Sequence, residues 1–187
     1  MPTVYVIGGA NGAGKTTTSL ILLPTSLNVI EFVNADAIAA GISPLNPESM
    51  AMQAGRIMLE RLELLSSSGA NFAFETTLAS RTFAPFLRKC KDRGYAIALI
   101  YFWLRSADLA IERVSRRVAA GGHSIPDDVV RRRYERGRTN LTSLYLPLVD
   151  EWMIFDNSES ESILVAEQEL GQNQVIYNND IWSQIRR

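Results

Sequence analysis

Gly9-Ala10-Asn11-Gly12-Ala13-Gly14-Lys15-Thr16 fits the pattern G-x-x-x-x-G-K-[ST], a loop that cradles phosphate with its backbone. Its flanks fit as well. Thr3-Val4-Tyr5-Val6-Ile7 is apolar and β-branched and predicts a buried strand, and Thr16 to Leu23 predicts the start of an amphipathic helix. The glycines let the chain turn tightly and bring N–H groups up to phosphate oxygens. The positive end of the helix dipole adds to the same site. Lys15 supplies a mobile cation for the β- and γ-phosphates, and the Thr16 hydroxyl suits a Mg²⁺ ion.

The rest of the 187-residue chain is read outward from this loop. A formal net charge of −1 gives no global pull toward nucleic acid or a membrane. The positive charge is uneven: Lys15, Lys89 and Lys91 are the only lysines, and much of the arginine lies between Arg105 and Arg138. The single cysteine, Cys90, excludes an internal disulfide and fits a reducing compartment. No apolar run reaches the roughly 18–20 residues of a membrane span, and the chain opens on strand and loop without a signal-like leader. A cytoplasmic protein of one domain, residues 1–187, is expected.

Strands are predicted at 29–33, 72–74, 95–103 and 152–155, alternating with helices. Asn46 is read as capping a helix that carries Met50, Ala54, Met58 and Leu62, and Ser80 as capping one that runs to about Arg93. Two arginine-rich helices flank Gly121-Gly122-His123, and a hairpin (163–169 with 174–177) and a terminal helix from Asp180 close the chain. Alternation of this kind implies an α/β fold: a three-layer α/β/α, P-loop kinase-like arrangement with a mainly parallel sheet, a helical arginine-rich lid at about 113–138 and a C-terminal hairpin.

Three strand ends converge in front of the loop: Asn34 with Asp36, Glu75 with Thr77, and Asp156 with Asn157. Asp36 is placed as a base aimed at an acceptor hydroxyl, or equally as a helix N-cap. Glu75 follows an apolar run as a metal-site carboxylate would, or ends its strand at the surface. Arginines brought in by a lid would neutralise charge developing on the γ-phosphate, with Gly121-Gly122 as hinge. The alternative is a solvated face with pairs such as Glu112–Arg116. His123, the only histidine, suits either a phosphate donor or a structural role. A nucleic-acid face is a further reading of the arginine run, although aromatics are sparse there, with Tyr134 alone.

Gly8–Thr17, Asn34-Ala35-Asp36, Gly41–Glu48, Phe74-Glu75-Thr76-Thr77-Leu78 and Gly121–Pro126 with the arginines that follow resemble the zeta-toxin family of P-loop kinases, in its compact, toxin-domain-only branch. The resemblance runs through Asp156-Asn157-Ser158. It implies an ATP- and Mg²⁺-dependent small-molecule kinase, whose acceptor in the better-known members is a UDP-activated amino sugar such as UDP-N-acetylglucosamine, and an antitoxin protein as partner. It also implies site roles. Gly9 to Thr17, with Lys15 and Thr16 as phosphate and metal ligands, would hold the nucleotide. Asp36 would be the catalytic base, with Asn34, Glu75 and Thr77 beside the acceptor, and two lid arginines, here Arg117 and Arg132 among six candidates, would meet the γ-phosphate. A nucleotide-dependent switch acting on a partner protein, or a nucleic-acid kinase, are the competing readings.

Overall fold

The computed structural model describes residues 1–122 and 124–187. The lone histidine, His123, and the readings attached to it lie outside the described residues. Seven strands form one sheet in the order β2-β3-β1-β4-β5-β6-β7. They are β1 (Thr3–Gly9), β2 (Phe32–Val33), β3 (Phe72–Thr76), β4 (Ala96–Trp103), β5 (Glu151–Asp156), β6 (Ile163–Gln168) and β7 (Val175–Ile176). The first five are mutually parallel, whereas β6 runs antiparallel to β5 and β7 antiparallel to β6. The expected hairpin is therefore present, and it extends the main sheet.

Alternation along the strands divides the core in two. Val4, Val6, Phe72, Phe74, Leu99 and Tyr101 face one side, against helices α3 (Ala51–Ser68), α4 (Phe83–Asp92) and α7 (Asn179–Ile185). Ile7, Ala73, Ile100 and Phe102 face the other, against α1 (Lys15–Thr25), α5 (Ala107–Ala119) and α6 (Asp127–Asn140). Helices on both faces of a parallel sheet make the three layers expected. β1 and β4 lie at the centre, buried on both sides, so they read as unbroken apolar runs in the sequence. The order reverses at β1, with β3 and β2 on one side and β4 and β5 on the other, and ligands bind at such switch points beyond the carboxyl ends of the strands. No helix among the described residues is long and apolar enough to cross a membrane.

Several local expectations shift. The second strand is two residues long, because β2 is an edge strand paired only with β3. α1 runs on past Leu23 to Thr25 and carries Pro24 inside its last turn. Asn46 precedes a short 3-10 helix (Pro47–Met50) without a side-chain capping bond. Ser80 accepts from the Thr82 amide at 3.1 Å as part of a turn, and α4 begins only at Phe83. Gly121 and Gly122 close α5, donating to Val118 O and Arg117 O at 2.9 Å each, as C-terminal capping residues do.

Candidate active site

The loop after β1 wraps the N-terminus of α1, with Gly14 in the left-handed region at φ 83°. A Cβ on Gly14 would stand 2.8 Å from Asn157 Nδ2, and that same amide donates to Ala13 O at 2.6 Å. Asn157, at the end of β5, thus braces the loop. Arg113 holds the brace in turn, donating to Asn157 O at 2.7 Å and Ser158 O at 2.8 Å. This role was missed in the sequence, where Arg113 stood only as a candidate for the phosphate.

Lys15, read from the sequence as a mobile cation, is 5% exposed and held in place, donating to Ala10 O at 2.9 Å, with Nζ 3.5 Å from Glu75 Oε1. Burial pushes its pKa down, and the negative charge of Glu75 works against that shift. Glu75 also accepts from the Thr16 hydroxyl at 2.6 Å and from Asn34 Nδ2 at 2.8 Å. The glutamate is therefore a partly buried hub of the loop rather than a surface residue at a strand end.

The capping alternative for Asp36 is resolved by its neighbour. Asn34 is the N-cap of α2 (Ala35–Ile42), its Oδ1 accepting from the amides of Asp36 and Ala37 at 2.8 and 3.1 Å. Asp36 lies in the first turn, where the helix dipole favours a carboxylate.

Two cavities meet here. One of about 220 Å³ is lined by Gly12, Gly14, Lys15, Thr16, Thr17 and the two arginines Arg113 and Arg117. The other, about 450 Å³, is lined by Asn34, Thr77, Ala79, Ser80 and Phe83 together with Arg132, Arg133 and Arg136 of α6. Asn11, Lys15, Asp36 and Glu75 line both. The structure thus brings together Asn11, Lys15, Thr16, Thr17, Asn34, Asp36, Glu75, Thr77, Arg117 and Arg132 around one space, with Gly9, Ala10 and Ala13 forming its buried backing. Arg116 and Arg131 are not among the lining residues; they pair with Glu112 at 2.5 Å and Asp108 at 2.6 Å on exposed faces. Arg133 and Arg136 were not singled out for a cavity wall, although Arg136 stands four residues from Arg132 and three from Arg133, both neighbouring positions on a helix.

The wall between the cavities and the core is held from α6. Gly137 packs so tightly that a Cβ there would lie 2.3 Å from Thr77 O. Asn140 donates to Leu78 O at 2.8 Å, and Tyr145, in the π-turn after α6, donates to Ser80 O at 2.6 Å. Leu78 itself has φ 57°, a left-handed conformation that these contacts sustain. Among the described residues, no group of three His, Cys, Asp or Glu side chains could hold a metal ion by itself.

The family profile described as Zeta toxin matches residues 1–169. The chain belongs to the zeta toxin family. A Haemophilus influenzae protein described as uncharacterized is 29% identical over 127 residues, which are 67% of this chain and 88% of that one. Among solved structures, the AvrRxo1-ORF1:AvrRxo1-ORF2 complex with sulphate ions contains a chain that superposes with a TM-score of 0.81 at 16% identity. The match covers 100% of this chain and 64% of that one, so the zeta toxin chain described here spans under two thirds of its length. The same complex with ATP gives a TM-score of 0.79 at 17% identity. The PezAT toxin–antitoxin system of Streptococcus pneumoniae matches with a TM-score of 0.61 at 19% identity, over 87% of this chain and 72% of that one. At such identities the likeness is one of fold, and the fold is that of P-loop kinases.

Proposed function

We propose that the protein is an ATP-dependent kinase that passes the γ-phosphate to a hydroxyl of a small acceptor. One observation carries the reading: Asp36 lines both the phosphate-sized cavity of the loop and the larger cavity beside it. A carboxylate at the junction of donor and acceptor spaces is placed to orient or deprotonate the attacking hydroxyl. The loop amides from Gly9 to Thr17, with Lys15, hold the triphosphate, and the Thr16 hydroxyl is a ligand for Mg²⁺, which when bound would offset charge on the β- and γ-oxygens. Arg117 from the first cavity and Arg132 from the second supply positive charge to the transferring group, and α5 and α6 together act as the lid. Asn34, Glu75 and Thr77 border the acceptor.

Family membership and the ATP complex of a structural relative support the nucleotide. The wall of Arg132, Arg133 and Arg136 suits an acceptor carrying phosphate, as a UDP-amino sugar such as UDP-N-acetylglucosamine would. An antitoxin partner and a cytoplasmic site of action, where ATP is available, follow from the same family reading. The test is incubation with γ-labelled ATP, Mg²⁺ and a pool of nucleotide sugars. A new labelled metabolite is the expected result. Label on oligonucleotide ends, or slow release of phosphate with no labelled acceptor, would favour the nucleic-acid or switch readings instead.

A further inference from the structure

We propose that a cavity over the amino-terminal half of the sheet, away from the phosphate loop, is a binding site for a small organic ammonium ion with an apolar body. It shares no lining residue with the two cavities of the active site, so it stands apart from the kinase reading.

Strand register builds the floor. Tyr5, Ala98 and Glu151 lie side by side on β1, β4 and β5, and Ile100, Met153 and Glu167 form the next row on β4, β5 and β6. Period-two alternation puts both rows on the face that packs against α1 and α5. Tyr5, Ala98 and Glu151 lie toward the amino ends of their strands, whereas the phosphate loop and Asp36 follow carboxyl ends. Leu27, just after α1, and Leu170, between β6 and β7, border a cavity of about 380 Å³. That volume falls in the range of small-molecule sites. Ala98 and Ile100 are buried beneath it, while Tyr5, Leu27 and Met153 are only partly covered.

Charge selects the occupant. Glu151, Glu167 and Glu169 line the cavity, and no lysine or arginine does. Among the described residues, none of these three carboxylates forms an ion pair. Two are held by neutral donors instead: the Tyr177 hydroxyl donates to Glu167 Oε1 and Gln172 Nε2 to Glu169 Oε2, each at 2.6 Å. Those bonds orient the carboxylates and leave their charge in place. Burial, and after it the charge of Glu151, pushes the Tyr5 phenol above its ordinary pKa, so that carboxylate acts on the cavity floor. An anion would be repelled here. A neutral apolar ligand would cover carboxylates without pairing them, which is costly. A bare metal ion wants a shell of oxygens and would leave the apolar floor unused. An ammonium head pairs with the glutamates while its apolar body rests against Leu27, Ile100 and Met153, and Tyr5 contributes an aromatic ring, which attracts cations.

The test is NMR at neutral pH on the full chain labelled with [methyl-¹³C]methionine, titrated with n-hexylamine, 1-hexanol and n-hexanoate. Met153 reports on this cavity and Met58 on the larger active-site cavity, and Met153→Leu assigns the signal. n-Hexylamine should move the Met153 signal saturably and leave Met58 in place. 1-Hexanol and n-hexanoate should bind at least about tenfold more weakly, the low end of what a hydrogen bond to a charged group contributes. The double variant Glu151→Gln/Glu167→Gln should lose most of the amine's advantage over the alcohol; an unchanged advantage would overturn the proposal. Equal affinity of amine and alcohol for the wild type would also overturn it, as would a Met153 signal that no compound moves, or a shift at Met58 alone. A Met153 signal that moves when the protein alone is diluted would assign this face to a second copy of the chain and overturn the proposal too. Should the double variant not fold, the amine's advantage in the wild type is compared in low salt and in ~1 M NaCl: a smaller advantage in high salt supports the proposal, and an unchanged one overturns it.

Discussion

Lys15 is a cation held in a nearly dry place, and its surroundings fix how it answers to pH. Burial disfavours its charged form, so its pKa lies below the ordinary lysine value of about 10.4. Between the two values the unfolded chain binds more protons than the folded one, so this residue's contribution to stability rises with pH through that window. ATP needs the charge, so its affinity should fall as pH passes the lysine's own value in the nucleotide-free protein. Calorimetric titration with ATP between neutral pH and pH ~10 should show the fall beginning below the ordinary lysine range. Lys15→Ala should abolish productive ATP binding and keep the fold, judged by near-UV circular dichroism; normal turnover in that variant would remove the loop from the mechanism.

At the scale of elements, α6 is fastened to the turn after β3, and Gly137 is the fastening. Alanine in a helix is favoured over glycine by about 1 kcal/mol, so two helical glycines should respond oppositely. Gly55 in α3 has nothing within 4 Å of an added Cβ, and Gly55→Ala should stabilise by roughly 0.5–1 kcal/mol. At Gly137 the added carbon meets Thr77 O at 2.3 Å, and overpacking of about 1–3 kcal/mol outweighs the propensity gain. Gly137→Ala should therefore lower Tm and raise KM for the acceptor while leaving ATP affinity unchanged. This fastening was not legible in the sequence, since it joins residues about sixty positions apart and leaves no local pattern. The phosphate loop was legible because its glycine spacing is local and its flanking strand and helix carry their own periodicities. Asp36 could be seen at a strand end, yet only the structure shows Asn34 acting as the cap. Glu75 was ambiguous for a related reason: its partners Lys15, Thr16 and Asn34 arrive from other elements.

Across the whole molecule, the same anchors limit what can close. Tyr134 donates to Leu104 O at 2.7 Å, and Asn140 and Tyr145 hold the turn after Thr77, so the second half of α6 belongs to the rigid frame. Closure over bound nucleotide then has to come from the end of α5 and the start of α6. Hydrogen exchange should slow at Val118–Gly122 and at Asp127–Val130 on adding a non-hydrolysable ATP analogue with Mg²⁺, and stay unchanged from Gly137 to Tyr145. Uniform protection across both stretches would mean a frame that does not close. The frame also fixes where Asp36 stands relative to the loop, since both emerge from carboxyl ends of one parallel sheet. The most direct measurement is therefore phosphoryl transfer from γ-labelled ATP by Asp36→Asn alongside the wild type, with ATP affinity measured in both. With Asn34 holding the cap in either protein, the substitution removes the negative charge while keeping the size of the side chain. Unchanged ATP affinity with transfer reduced by about 10²–10⁴-fold is the predicted result. Transfer at the wild-type rate would contradict the account.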